Sequence, residues 1–388
     1  MAWTGKEHGF AAAIAASSET WGTEQSLAAG DGIKVAEGNM PFGEQSAKVE
    51  ETTDNGWPQY VDFGNVENLD FSMDFEPRFC SSTSKSPMDE MLFACLASGT
   101  TATQQAATAA YLHTQTIASN KSLADTVSRW FTLASKWAKT SGSSYLSIPS
   151  WQPSGFEWVS EAGQPVKVSV KGIGNKVLRD SATISGSWSN VTYLDTSRKV
   201  FHHHIGSTGC WLAASAAVGA SPVTFGTGQA VQPSKLSISL DRKHEAVYTT
   251  QKYSDQPSDN GFTEIKVSIT FPQYTDANET LLDAALKSWE SGTETYFHLR
   301  TRWTFGTVIA STYYPYYEIG LPMLMPTSVK RDTSAGKRVE HTVEFIGLTP
   351  TAYAHLPTCF QYAGGASGAS IDAMYLAVMN QTTAALIA

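Results

Sequence analysis

Residues 162–174 read AGQPVKVSVKGIG, and residues 335–347 read AGKRVEHTVEFIG. Six of the thirteen positions are identical, and Ser169 faces Thr342. Self-similarity at a fixed shift marks a domain made more than once, so the first question is how far the likeness extends. At the same shift of 173, from Ala162 to Ala335, Leu146-Ser-Ile148-Pro149 falls on Ile319-Gly-Leu321-Pro322, and Pro153-Ser154 falls on Pro326-Thr327. A second block lies upstream. FSMDFEPRF (71–79) resembles VSITFPQY (267–274). Each is followed by a polar loop and then an apolar stretch ending in SGT, SPMDEMLFACLASGT (86–100) and ETLLDAALKSWESGT (279–293). Order, spacing and residue type agree across both blocks, which points to a tandem duplication.

The repeated blocks also say what kind of domain is repeated. Val166, Val168 and Val170 alternate with Lys167, Ser169 and Lys171, the period of two that belongs to a half-buried strand. Leu69, Phe71, Met73 and Phe75 alternate likewise, as do Val267, Ile269 and Phe271, and Leu236, Ile238 and Leu240. In the second SGT stretch Leu282, Leu286 and Trp289 share one helical face. The reading is therefore mainly β, with two tandem sandwich or partial-barrel domains, one short helix in each, and extended arms. The boundaries are an N-terminal arm at 1–24, copy one at 25–180 with an insertion near 101–144, copy two at 181–350 with an uncharged loop near 205–234, and a C-terminal tail at 351–388. Within the insertion ADTVSRWFTLASKWA reads as a helix or a mixed strand. In the tail DAMYLAVMNQTTAALIA reads as a helix. The apolar residues of the arms and loop argue against full exposure and for docking on neighbouring subunits.

Charge and cysteine content exclude several classes. Only 16% of the residues are charged and the net charge is −9. A protein that grips nucleic acid clusters Lys and Arg; here Arg300 with Arg302, and Lys330 with Arg331, are the nearest approach. Cys80, Cys95, Cys210 and Cys359 form no CxxC pair and read as reduced core residues. The start MAWTGKEHGFAAAIAASSETW has one Lys, then a Glu, before a short and mostly alanine apolar run, and does not fit a secretory leader. The uncharged stretch 205–234 is broken by Gly, Ser, Thr and Pro and does not fit a membrane span.

Chemistry-bearing patterns are few. In FHHHIG (201–206), His202 and His204 would share a strand face, but no Cys, Asp or Glu nearby completes a metal set. A surface or interface histidine cluster is the plainer reading. YYPYYE (313–318) offers an aromatic platform for a sugar or, because it abuts a repeat strand, core and interface packing. Asp70, Asp74 and Glu76 alternate on one strand and read as a solvated acidic face rather than paired catalytic acids. GTGQA (226–230) lacks the phosphate-loop frame, and no GxSxG nucleophile pattern appears. No cofactor, metal site or catalytic activity is expected.

The strand order and blocks together resemble the tail tube proteins of long-tailed, non-contractile-tailed phages. The likeness lies in NLDFSMDFEPRF with MLFACLASGT and in SGSSYLSIP with AGQPVKVSVKGIG. Copy two carries it in KLSISLDRKH, FTEIKVSITFPQY and AGKRVEHTVEFIG, and ETWGTEQSLAAGDGIKV is similar to the entry of such a subunit. The resemblance covers most of 20–350. It implies a structural virion protein, assembled in the host cytoplasm, whose stacked rings form a tube through which double-stranded DNA passes without specific binding. Its partners would be copies of itself and other tail proteins. Six domain positions close such a ring, so a chain with two domains would close it as a trimer with pseudo-sixfold symmetry. Asp70, Asp74 and Glu76 are then candidates for a bore lining that keeps phosphates off the wall. Two alternatives stay open: a distal-tail or baseplate ring with the same domain, and a secreted or surface β-sandwich that binds glycans. An enzyme such as an esterase or protease stands behind both for want of a nucleophile.

Overall fold

The computed structural model describes residues 8–349 and 373–386, apart from 16–18, 36, 39–45, 53–57, 67–68, 80–82, 97–100, 118–128, 140, 195–199, 204–208, 216–229, 252, 273–282, 284–295 and 333–339. The second SGT helix, most of the 205–234 loop, His204, Cys80 and Cys359 lie outside the described residues. The protein is mainly β.

In chain order the first half holds β1 (His8–Ile14), β2 (Gly32–Ile33), β3 (Glu37–Gly38), β4 (Ser46–Thr52), β5 (Pro58–Val66) and β6 (Leu69–Phe75). Then come helix α1 (Pro87–Ala94), β7 (Thr101–Gln104), β8 (Tyr111–Thr116), β9 (Phe131–Ala138), β10 (Ser143–Glu161), β11 (Lys167–Gly174), β12 (Leu178–Arg179) and α2 (Ala182–Ser187). The second half holds β13 (Cys210–Ser215), β14 (Lys235–Asp241), β15 (His244–Val247), β16 (Asp255–Asp259) and β17 (Glu264–Phe271). It continues with β18 (Tyr296–Thr304), β19 (Tyr316–Asp332), β20 (Glu340–Gly347) and β21 (Tyr375–Asn380). The named strand pairings are all antiparallel.

The long strands β10 and β19 organise everything else. The first part of β10 pairs with β9 and β12, and its last part lies between β11 and β14. The first part of β19 pairs with β18 and β21, and its last part with β20. Each strand carries two prolines, Pro149 and Pro153 in β10, Pro322 and Pro326 in β19. Proline cannot donate to a ladder, and the pairing of β10 slips at Ile148/Trp151 and at Pro153/Gly155. In β19 it slips opposite Phe297/Leu299 and at Pro326/Ser328. Such bulges bend a strand and let it pass from one sheet to another.

Pairing recurs in register between the two halves. The shift of 173 carries Trp151–Gly174 onto Leu324–Gly347 and Gly155–Lys171 onto Ser328–Glu344. The same shift carries Leu146 onto Ile319, while their partners in β9 and β18, Ser135 and Thr301, correspond at a shift of 166. Met73–Val170 of β6–β11 matches Ile269–Val343 of β17–β20. Ala12–Leu133 of β1–β9 matches Leu212–Leu299 of β13–β18.

The last part of β10 joins β14 along seven residue pairs, Gly155–Asp241 to Glu161–Lys235. This makes a continuous eight-strand run, β3-β6-β11-β10-β14-β17-β20-β19, within a larger sheet that closes into a barrel with β1, β2, β7, β8, β9, β12, β13, β18 and β21. The inner face of the run carries Phe75, Val168, Val170, Phe156, Trp158, Ile238, Val267, Ile269 and Val343, all buried. It packs on the flanking strands, with Trp158 4.8 Å from Trp303 and 5.3 Å from Tyr317, ring centre to ring centre. α1 is buried along its length against the same core, through Met91, Leu92 and Phe93.

Two segments expected as arms are sheet strands. β1 pairs along its whole length with β9. The tail segment read as a helix is instead the strand β21, seated between β19 and β8 of the same chain. YLAVMN is buried at every position, and a strand buried on both faces loses the alternation that would have revealed it. Part of the expected insertion, FTLASKWA, is β9, the counterpart of β18.

Candidate functional site

The two halves together build one polar surface, the outer face of the eight-strand run. Cross-strand registers place its residues in rows: Asp74, Ser169, Glu157, Ser239 and Lys266 in one, and Ser72, Lys171, Gly155, Asp241 and Glu264 in the next. A third runs through Lys167, Val159, Ser237, Ser268, Glu344 and Ser328. Alternation along each strand sends the large apolar residues inward and leaves Ser, Thr, Asp, Glu and Lys outward. Asp70, Asp74, Glu157, Glu161, Asp241, Glu264, Glu340 and Glu344 share this face with Lys167, Lys171, Lys235, Lys266 and Lys330. Acid outnumbers base.

The charges are laced together. Lys171 reaches Asp241 at 3.2 Å across the joint, and Lys235 reaches Glu161 at 3.4 Å. Lys243 bridges Asp241 at 3.0 Å and Glu264 at 2.9 Å, and Lys330 meets Glu344 at 2.6 Å. Burial pushes the Asp241 carboxyl up, but hydrogen bonds from the Lys243 backbone N–H, Lys243 Nζ and Lys171 Nζ outweigh it and hold the group at about 2. Hydrogen bonds from Lys266 and Lys243 lower Glu264, and those from Lys330 and Ser328 lower Glu344. Asp70 is raised by burial, with Lys171 opposing and Asp241 adding to the rise. Exposed pairs of this kind contribute little stability; they order the lysines and leave a surface of fixed carboxylates.

Of the acids singled out from sequence, Asp70 is exposed on β6. Asp74 lines a groove of about 390 Å³ with Ser72, Glu157, Glu161, Gln164, Lys167 and Ser169. Glu76 lies just past the end of β6 and pairs with Arg78 at 3.5 Å. The structure adds Glu157, Glu161, Asp241, Glu264 and Glu344 to that face. Their signal was present in the alternation of β10, β14, β17 and β20, but which strands lie side by side cannot be read from periodicity.

The other sequence candidates resolve as structure. His202 is exposed, and its described neighbour His203 is hydrogen-bonded. Its Nε2 donates to the Pro233 carbonyl at 2.7 Å, and its Nδ1 accepts from Ser160 Oγ at 2.7 Å. Ser160 in turn accepts from Trp303 Nε1 at 3.0 Å and is fully buried. These bonds tie Ser160 of β10 to the half-buried His203 and to Trp303 of β18. Tyr316 and Tyr317 of YYPYYE are buried, whereas Tyr314 is exposed. Cys95 and Cys210 are buried free thiols, pushed up to about 12 by burial. Among the described residues no group of three or more His, Cys, Asp or Glu is placed to hold a metal ion.

Searches of protein families and of curated proteins find no match to this chain. The functional reading therefore rests on the sheet and its face. No helix among the described residues is long and apolar enough to cross a membrane.

Proposed function

We propose that this chain is a structural subunit of a phage tail tube, carrying two copies of one tube domain. In this reading the subunits close into rings, trimeric with pseudo-sixfold symmetry, and the rings stack into a tube that conducts double-stranded DNA. The outer face of the eight-strand run lines the bore, and Asp70 and Asp74 belong to that lining. One observation supports the reading: the matching strand pairs of the two halves, β6–β11 and β17–β20, lie in one continuous sheet, joined through β10 and β14, with one polar, acid-rich face.

The physical logic supports it. A conduit for DNA must not bind it, because each phosphate neutralised by a basic group releases counterions and adds affinity. Lysines engaged by neighbouring carboxylates, in a field with surplus acid, give weak repulsion instead. Between the charges the face presents short side chains, among them Ser72, Ser169, Ser237, Ser239 and Ser268. Electron microscopy of concentrated, purified protein tests the proposal. Hollow striated tubes with threefold or sixfold rotational averages are expected. Isolated rings would move the protein to the tail tip, and dispersed particles at every concentration would refute it.

A further inference from the structure

We infer that the C-terminal segment Tyr375–Leu386 is an acid-released latch, held shut by the neutral imidazole of His113 and let go when that ring takes up a second proton. The device belongs to the single chain and does not depend on any assembly the chain enters.

The segment is fastened along its length. β21 pairs with β19 from Tyr316–Met379 to Gly320–Tyr375, and with β8 from Tyr111–Asn380 to Thr116–Tyr375. Beyond the strand, Thr382 Oγ1 donates to the Ser84 carbonyl at 3.1 Å and the Thr383 N–H to the Thr83 carbonyl at 3.4 Å. Lys85 Nζ donates to the Leu386 carbonyl at 3.3 Å. Thr382 and Leu386 are fully buried. His113 of β8 stands where these two sets of ties meet. It faces Val378 across the ladder and is itself fully buried. Its Nε2 lies 3.0 Å from the Thr382 carbonyl oxygen and 3.1 Å from Asn380 Oδ1.

These partners decide which nitrogen holds the proton. A carbonyl oxygen can only accept. Asn380 Oδ1 also accepts from the Thr382 N–H at 2.9 Å, while Asn380 Nδ2 donates to Asp89 Oδ2 at 3.4 Å. Nε2 therefore carries the hydrogen of the neutral ring. Nδ1 is buried, and among the described residues it meets no hydrogen-bond partner. A second proton would go to Nδ1 and leave a charged ring with an N–H that has no acceptor where it sits. In water both N–H groups are hydrated, so the charged ring favours the open segment. The groups packed around the ring oppose its charging or are engaged elsewhere. The Asp89 carboxyl of α1 is held by Tyr317 OH at 2.6 Å and by Asn380. Burial raises Glu90 of α1 to about 8, and Lys85 adds a positive charge. β7 and β21, which flank β8, carry no charged residue. Burial above all, with Lys85, holds His113 below its ordinary 6.5, against the bonds to Thr382 and Asn380. The closed state therefore has its full advantage above 6.5 and loses it as pH falls below. Release bares β8 and the first part of β19, and bared strand edges take up other strands.

The test follows hydrogen–deuterium exchange of the dilute full-length chain from about pH 7.5 to about pH 5, with protection corrected for the intrinsic pH dependence of exchange. Protection in Tyr375–Asn380 is expected to fall by at least about tenfold, since one linked proton gives up to about tenfold per pH unit. β17 (Glu264–Phe271) should keep its protection. His113→Gln retains an amide donor for the Thr382 carbonyl and cannot titrate, so its β21 should change by less than about twofold. Protection of wild-type β21 that holds down to the lowest pH overturns the latch. An equal loss in β17, which reports global unfolding, does so too. An undiminished loss in His113→Gln assigns the proton to another group and overturns the role of His113. Should that variant melt early, titration of the wild-type His113 ring by nuclear magnetic resonance decides. A ring that titrates at its ordinary 6.5 while β21 stays protected overturns the latch, and one that titrates only as β21 opens supports it.

Discussion

Replacing Glu318 with alanine should destabilise the chain by about 3 kcal/mol, near the lower end of what removing one member of a buried ion pair costs. The side chain of Glu318 is fully buried, with Arg300 Nη2 at 3.0 Å and Arg302 Nε at 2.5 Å. Tyr375 OH donates to its other oxygen at 2.7 Å. The cluster joins β18 to β19 and both to β21. The arginines are 17% and 30% exposed and lie over the rings of Trp211 and Tyr316, at 5.0 and 4.2 Å. That partial solvation is why the lower end of the range applies. Tyr375→Phe removes a hydrogen bond to a charged acceptor and should cost about 1.5–3 kcal/mol. Because that bond ends on Glu318, the double variant should fall short of the sum by about 1 kcal/mol. The assay is urea unfolding of dilute, unassembled protein followed by tryptophan fluorescence, with exchange in Tyr375–Asn380 reporting on β21. A loss under 1 kcal/mol for Glu318→Ala, or strict additivity with Tyr375→Phe, would refute the reasoning.

Other perturbations probe different parts of the fold. Gly155→Ala would put a Cβ 2.1 Å from the Leu240 carbonyl oxygen, an overpacking of about 1–3 kcal/mol; faster exchange confined to Leu236–Asp241 would confirm that it opens the central joint. Burial raises the Glu90 carboxyl to about 8, with Lys85 opposing and Asp31 and Asp89 adding to the rise. The folded state therefore holds a proton that the unfolded chain gives up above about 4.5. Stability should fall as pH climbs from there toward 8, by up to about 1.4 kcal/mol per pH unit. Glu90→Gln should flatten that slope, and parallel pH profiles for the two proteins would contradict it. In assembled particles, changing Asp70, Asp74 and Glu76 together to Lys should slow DNA ejection; an unchanged ejection rate would remove these acids from any role in conduction.

The half-buried strands were legible because one face meets the core and the other water. Met73 and Phe75 alternate with Ser72 and Asp74, Val168 and Val170 with Ser169 and Lys171, and these periods locate β6 and β11 from residues alone. Strands buried on both sides gave no such sign. Ala11, Ala12 and Ala13 are each at most 5% exposed, so β1 shows no period and was read as part of an arm. GFAAAI (9–14) and GCWLAA (209–214) nevertheless share Gly9 with Gly209 and Ala13 with Ala213, a faint trace of the correspondence that the pairing of β1 and β13 reveals. The acids of the outer face were read only in part for a different reason. Asp70 and Asp74 stand on one strand, whereas Glu157, Asp241 and Glu264 join them through contacts distant in sequence. His203 is hidden between the two histidines that look more suggestive, because its partners, Ser160 on β10 and the Pro233 carbonyl, lie far from it in sequence.

The seven-pair joint between β10 and β14 has a consequence for kinetics. It closes when a single chain folds, with no encounter between molecules and no loss of translational freedom beyond that of folding itself. In the proposed ring every second contact would then already exist in each subunit before any two subunits meet. Two encounters and one closure would complete what six separate single-domain chains would need five encounters and one closure to build, and a finished ring would have three contacts between molecules in place of six.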